Sequence, residues 1–482
     1  MARVSTRSFL FFRLSPVRVN SSIAFAIEQG KTGKSFGVLS AKFETFERPL
    51  LTSKAKFPIR DLSQLVSEDL LNGIFKKKDF YGEGTLLVNV WDLYRDEVIL
   101  QKTLERIKTT SEENNRFEAK EGDVFFCRSS LKPEGVGWSC LLERLNEPAV
   151  FECHLIRARV NSKEILPSFL NYFARSYFGV SYIRAKSVVT TMATIDQGTL
   201  YNLPVICPPV EKQIELVAAM DEARSHRKQK LAESDALLSS LDDYLLNTLG
   251  LEPPVKDERK VFAIQTSIIS GRFDPHFHAP NFKNIYRLLS KTTTKKLGEI
   301  VKFSKDYWNP KDEEKITFRY IEISNVKPQT GEAIWTETLT KEAPSRARML
   351  VHGDDIIVSL TRPHHGSIAH LSEEFDGCIA STGFAVIRSV SKLLNREYLW
   401  CILRSQLSLQ QMLQRASGGN YPAITRSELE NIIIPIPEIS IQEKIVREIQ
   451  HRRSEAQRLR SEAETGWQIA KQWFEDQLLG GS

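Results

Sequence analysis

Several groups of residues have types and spacings that could do chemistry. Gly30-Lys31-Thr32-Gly33-Lys34-Ser35 approaches a loop that cradles nucleotide phosphates, but Glu28 stands where that pattern requires its first glycine. His276-x-His278 and His364-His365 offer imidazoles, yet neither pair has a further Cys or His at zinc-ligand spacing. Glu118-x-Lys120 and Glu313-x-Lys315 have the form of half a nuclease carboxylate-lysine set, a triplet that arises by chance in a chain that is 26% charged. Asp274-Pro275-His276-Phe277 approaches the Asn/Asp-Pro-Pro-aromatic segment of adenine methyltransferases and lacks its second proline. On these grounds no catalytic residue, metal site or bound cofactor is assigned.

What remains are loops rich in cations and hydrogen-bonding side chains, which suit phosphate oxygens and base edges. Two of them follow short apolar strands: Arg128, Ser129, Ser130 and Lys132 after Val124-Phe125-Phe126, and Thr361, Arg362, His364 and His365 after Ile356-Ile357-Val358. Secondary candidates are Lys76, Lys77 and Lys78 with Tyr81, Lys305 with Tyr307 and Trp308, and the turn Ser417-Gly418-Gly419-Asn420-Tyr421. Any one of these taken singly reads equally well as a solvated surface. Their corresponding placement in two halves of the chain carries the assignment.

Those halves are related by an internal repeat. The segment from Ile195 aligns without a gap on the segment from Ile424, a shift of 229 residues, pairing Leu200 with Leu429, Asn202 with Asn431, Pro208 with Pro437, Gln213 with Gln442 and Val217 with Val446. Upstream, Gly122-Asp123 before its apolar run resembles Gly353-Asp354, and Leu87–Leu93 resembles Tyr320–Val326. So long a period implies two copies of a domain, each followed by the same connector.

The connectors read as long helices. Ile445, Ile449, Ala456, Leu459, Ala463, Trp467, Ala470 and Phe474 recur at three- and four-residue steps, a narrow stripe on a helix of about ten turns. Ile214, Val217, Leu231, Leu238, Leu241 and Leu245 do the same in the first connector, which is expected to end near Gly250. Neither stripe is wide enough to hold a helix alone, so each needs a partner, and the nearest is the other connector. Prolines at 208, 209, 435 and 437 precede the helix starts. Between the connectors, runs such as Gly84–Val90, Val124–Cys127, Phe318–Ile323, Asp355–Leu360 and Phe384–Ile387 have strand character. The fold class expected is α+β. Residues 1–207 form a first domain with its core at about 57–207, 208–250 the first spacer, 251–270 a linker, 271–434 a second domain and 435–482 the second spacer.

Composition sets bounds on function. Sixty-six Lys and Arg against 60 Asp and Glu give a net charge of +6, compatible with a polyanionic partner. The six cysteines form no CxxC pair and read as reduced thiols of a cytoplasmic protein. No stretch approaches the roughly 18–20 apolar residues of a membrane span. Arg3, Arg7, Arg13 and Arg18 around Phe9-Leu10-Phe11-Phe12 faintly resemble a targeting peptide, but Arg13 interrupts the apolar run.

A proline pair, an acidic residue, a glutamine and then an apolar pair opening a long helix, as in Pro208, Pro209, Glu211, Gln213 and Val217 and again in Pro437, Gln442, Ile445 and Val446, resembles the conserved regions of type I restriction-modification specificity subunits. The Gly-Asp-apolar strand of each half is similar to their target recognition domains. The resemblance implies two target recognition domains alternating with two long helices packed as an antiparallel coiled coil, with an internal pseudo-twofold repeat. It also implies a non-catalytic subunit that reads a bipartite double-stranded DNA site and docks methyltransferase and restriction subunits, with S-adenosylmethionine, ATP and Mg on those partners. A helix of about 35 residues spans roughly 50 Å, which suits two reading heads on a split site. The alternative reading is a solitary DNA-binding or scaffold protein; a nuclease would need a complete carboxylate cluster.

Overall fold

The computed structural model describes residues 40–480 apart from 41, 190, 253–258, 260 and 265–271. The phosphate-loop-like segment at 30–35, the targeting-like start and most of the expected 251–270 linker lie outside the described residues. One unit comprises the chain up to Gln229 together with residues from Glu462 onward, and the other runs from Lys230 to Ser461.

In the first unit the apolar run Val124–Cys127 is buried at every position, which is why it reads as an unbroken hydrophobic string rather than an alternating one. It lies inside a five-stranded sheet with Leu155–Ala158 on one side and Ser139–Leu142 on the other, flanked by Leu71–Asn72 and Val98–Ile99. A second sheet orders Glu105–Ile107, Tyr81–Val88, Ala149–Phe151 and Glu118–Ala119. A hairpin of helices, Pro167–Ala174 and Tyr177–Lys186, buries Phe169, Phe173 and Phe178 against the same core.

The second unit repeats this wiring. Ile356–Ser359 lies between Phe384–Val390 and Ile368–His370, with Val301–Phe303 at the far edge. The companion sheet orders Thr336–Leu339, Thr317–Ile321, Ile379–Ser381 and Ala347–Leu350, and the helical hairpin is Arg396–Leu403 with Gln406–Arg415. The α+β class and the duplication expected from sequence are therefore observed. Where the sequence aligns Leu87 with Tyr320, both residues pair in parallel with equivalent strands, Leu87 with Val150 and Tyr320 with Ile379. The turns that follow are closed alike, Asn89 by Asp92 and Glu322 by Asn325.

The Gly-Asp register is corrected by one residue. Asp123 is buried, accepts from the Lys120 N–H at 2.7 Å and pairs with Arg159 at 2.7 Å. Asp355, not Asp354, does this in the second unit, accepting from the His352 N–H at 2.8 Å and pairing with Arg388 at 2.7 Å. Asp354 occupies the place of Gly122, and both have left-handed backbones, φ 70° and 87°. Aspartate tolerates that region better than most side chains, so the repeat keeps its turn without the glycine.

The long helices are Val210–Ser239 and Ile439–Leu478. They run antiparallel in each unit. In the first, Lys212 reaches Gln477 at 3.4 Å while Arg227 lies 3.8 Å from Glu464. In the second, the Ser234 hydroxyl donates to the Ala456 carbonyl at 3.0 Å and Arg452 donates to the Ser240 hydroxyl at 2.8 Å. Ile445, Ile449, Leu459, Trp467 and Phe474 are buried along the second helix.

The first helix differs from expectation in two ways. It breaks at Ser240 instead of continuing to Gly250, and a separate helix, Leu241–Thr248, follows with Leu245 buried. Its inward stripe begins with Gln213, Leu216 and Met220, whereas Ile214 is 56% exposed. Gln213 decides that rotation, because its buried amide must face the polar groups that satisfy it. Val217, Leu231, Leu238 and Leu241 are half-buried, and the fully buried seam position between them is Ser234.

Candidate nucleic-acid interface

The loop after Ile356–Ser359 is held by backbone on both sides. Leu360 donates to the Gly383 carbonyl at 2.7 Å and accepts from Ile424 at 2.9 Å, and Thr361 bridges Ala423. Arg362 then donates its N–H to the Pro422 carbonyl at 2.7 Å in a left-handed conformation, φ 46°, directly before Pro363. A non-glycine residue there stores strain that its surroundings must hold in place. The result is that the guanidinium lies 4.6 Å over the Tyr421 ring and donates to the Asn420 carbonyl at 2.8 Å. The Arg362 loop and the Asn420-Tyr421 turn, two separate candidates in the sequence, thus form one cluster.

His364 and His365 follow on a short 3-10 turn, Pro363–His365, with ring centroids 4.6 Å apart and perpendicular. Burial, and then the charges of His365 and Arg362, hold the His364 imidazole below its usual range, so at neutral pH it is an uncharged ring. His276 acts on His364 in the same direction and so stands near this cluster, a neighbourhood that its place beside His278 in the sequence did not reveal. It sits 88 residues upstream of His364 in the chain, and no local pattern connects them. Tyr421 is 71% exposed, so the cluster presents an aromatic face, a guanidinium edge and imidazoles to solvent.

In the first unit the corresponding strand leads to Arg128, whose N–H donates to the His154 carbonyl at 2.7 Å. Ser129 and Ser130 form a short strand against Ala193–Thr194, the segment equivalent to the one bearing Ala423. The Ser129 hydroxyl lies 3.1 Å from Nδ1 of His154, a residue the sequence did not single out, and Lys132 is exposed at the loop tip. His154 also closes a compact group with Glu152 and Cys153. Those three are consecutive, and the Glu152 carboxylate already accepts from the His154 N–H at 3.2 Å.

The lysine run divides. Lys76 is paired with Glu113 at 2.7 Å and lies over the Phe80 ring, so its charge is used within the fold, whereas Lys77 and Lys78 are exposed. Lys305 and Tyr307 are exposed on the segment where Tyr307 bridges Met349. Trp308 beside them donates to Glu313 at 3.0 Å and packs on Phe318, which makes it a structural residue. The six cysteines are free thiols, and burial pushes Cys140 and Cys401 up to about 12, so neither is a nucleophile at neutral pH. No described helix is long and apolar enough to cross a membrane.

Two strand-led polar loops thus stand on repeated sheet pairs, each followed by a long helix. Residues 290–454 match the family described as the type I restriction modification DNA specificity domain. That stretch lies within the second unit. The chain is 25% identical over 155 residues to the StySPI specificity subunit of Salmonella potsdam, covering 32% of this chain and 33% of that protein. It is 24% identical over 188 residues to the EcoKI specificity subunit of Escherichia coli K12, covering 39% of each. The alignments therefore span between about a third and two-fifths of these specificity subunits' length. A solved structure from a study of assembly and conformational transition in the type I R-M system shares the fold over 88% of this chain and 99% of its own, with a TM-score of 0.52 at 17% identity.

Proposed function

We propose that this chain is the DNA-sequence reader of a type I restriction-modification complex, with each unit reading one part of a split double-stranded site. The observation that carries this is the duplication itself. The same Asp–Arg pair and the same strand-led loop are built twice, while the residues at the loop tips differ: Arg128, Ser129 and Lys132 in one unit, Arg362, His364 and His365 in the other. A scaffold has no need of identical frames carrying different polar tips. A reader of two unlike half-sites requires them.

The guanidinium of Arg362, preorganised over Tyr421, matches the bidentate acceptors of a guanine edge or a phosphate. Lys77, Lys78, Lys132 and Lys305 suit phosphate contacts that set register without reading sequence. The chain would have no catalysis of its own. Methyltransferase subunits carrying S-adenosylmethionine, and a restriction subunit using ATP and Mg, would dock on the long helices, where Ile214 and Ile469 are exposed apolar side chains. The assembly would work in the cytoplasm.

The test is to co-express the chain with the methyltransferase encoded beside it and map methylated adenines with and without the chain. A split motif that disappears on deletion supports the reading, and exchanging residues 271–434 should then change one half of that motif only. Unchanged adenine methylation and no co-purifying methyltransferase would leave a solitary DNA-binding or scaffold role.

A further inference from the structure

Arg453, on the second long helix, lines a cleft of about 290 Å³ in the second unit together with Thr330, Gly331, Trp400 and Arg460. Its guanidinium lies 4.1 Å over the Trp400 ring, and its Nε is buried without a hydrogen-bond partner. Arg404 lies 5.5 Å from the same ring and spends its hydrogen bonds on the carbonyls of Pro328, Gln329, Gly366 and Ile368. The acidic groups of the cleft are engaged elsewhere, Glu332 with Lys327 at 2.7 Å and Glu374 with the Ser372 hydroxyl at 2.9 Å. Asp235 takes Arg460 at 2.7 Å, and His370 lies between Asp354 and Glu397. Two guanidiniums thus stand at one indole with no carboxylate in direct ion-pair contact with either among the described residues, and Glu332 and Glu397 act on Arg453, and Asp242 on Arg404, only from farther off.

The first unit shows what such a pair takes. Arg175 is the repeat equivalent of Arg404, 229 residues earlier, and it too lies over an indole, 4.3 Å from Trp138. There the buried carboxylate of Glu97 sits 3.5 Å from Arg175 and 3.5 Å from Arg227, so a carboxylate of the chain itself stands directly against both guanidiniums. Glu97 arrives with the edge strand Val98–Ile99, and the second unit's four-stranded sheet has no counterpart of that strand. A carboxylate of the chain therefore stands directly against the arginine at this repeat position in the first unit, and none does so in the second among the described residues. Leaving a buried guanidinium nitrogen without an acceptor is costly, and a cleft that admits an anion relieves that cost.

We propose that this cleft binds a compact oxyanion, a carboxylate or a phosphate, seated on Arg453 beside Trp400 with Arg460 at its rim. The site is separate from the DNA-reading loops and does not depend on that assignment.

The test is thermal unfolding and calorimetric titration of the full chain with inorganic phosphate and with succinate, at ionic strength held constant with chloride. The expected result is saturable binding of at least one probe, and which one it is identifies the class. Arg453→Gln should weaken binding about tenfold or more, because a charge-assisted fork is lost. Arg460→Gln should weaken it less, and substitution of the exposed Arg447 by Gln should leave it unchanged. Should Arg453→Gln not fold, Arg460→Gln and direct titration of the unaltered chain decide the matter. No stabilisation beyond chloride by either probe, or the same titration in the Arg453 and Arg460 variants as in the parent, would overturn the proposal.

Discussion

Gln213 and Gln442, 229 residues apart, make the same three hydrogen bonds in their own units. The Oε1 atom of Gln213 accepts from the Leu166 N–H at 2.8 Å, and its Nε2 donates to the carbonyls of Glu164 and Pro208 at 2.9 and 2.8 Å. The amide of Gln442 does this with Asn395, Leu393 and Pro437 at 2.8, 2.9 and 2.8 Å. Both side chains are fully buried. Each staples the first turn of a long helix to the loop that enters the helical hairpin, so the orientation of the recognition frame on its helix is set by one amide.

Replacing Gln442 by Leu should therefore destabilise the second unit by about 3 kcal/mol, at about 1 kcal/mol for each bond lost plus the cost of stranded carbonyls. Urea unfolding followed by circular dichroism measures it. A loss below about 1 kcal/mol would mean that water replaces the amide.

Arg388→Met should cost about 3–5 kcal/mol, because it leaves the Asp355 carboxylate buried and unpaired. The double change Arg388→Met with Asp355→Leu should recover much of that loss, since removing both members of a buried pair is far less costly than removing one. Equal losses in the single and double variants would show that Asp355 acts chiefly by capping His352.

Arg362→Ala and Lys132→Ala should separate reading from positioning. The arginine change should cost about 1–3 kcal/mol and relax one base position of a half-site. Removing the lysine should leave the motif intact and lower the slope of log affinity against log salt by about 1. Anisotropy titrations over a salt series, with methylation mapping, distinguish the two.

Glu475 gives a pH dependence. Burial raises its carboxyl to about 6, although it accepts from the Tyr177 N–H at 2.6 Å. A folded value above the unfolded one favours the protonated form, so this contribution is full below the unfolded value of 4.5 and is lost as pH rises through about 6. That amounts to about 2 kcal/mol. Glu475→Gln should be neutral at pH 4 and raise the melting temperature at pH 7. Equal effects at both pH values would assign the change to packing instead.

Much of the fold was legible in the sequence because its signals are local or periodic. The 229-residue shift, the stripe from Ile445 to Phe474 and the apolar run Val124–Cys127 need no knowledge of what lies across the core. The site was legible only in pieces. Arg362 and Tyr421 are each plausible alone, but their stacking depends on a left-handed residue before Pro363 and on a bridge from Thr361 to Ala423, and neither leaves a pattern in the chain. Lys76 looked like its neighbours and proved to be paired, because Glu113 reaches it from a helix that the sequence does not connect to it.

The sequence by itself determined that there are two halves, that each is followed by a long helix, and that Gln213 and Gln442 hold equivalent posts. Repeats survive in the chain because the same backbone needs the same few polar groups in both copies. Tertiary structure alone decided that Asp355 takes the role of Asp123 and that Ser234 and Leu216, not Ile214, face the seam. It alone decided that Glu97 reaches Arg175 and Arg227 in the first unit while Arg404, the repeat equivalent of Arg175, bonds to backbone carbonyls in the second. These are questions of which side chain meets which across the core, and they depend on distances between residues far apart in the chain, which composition and spacing do not encode.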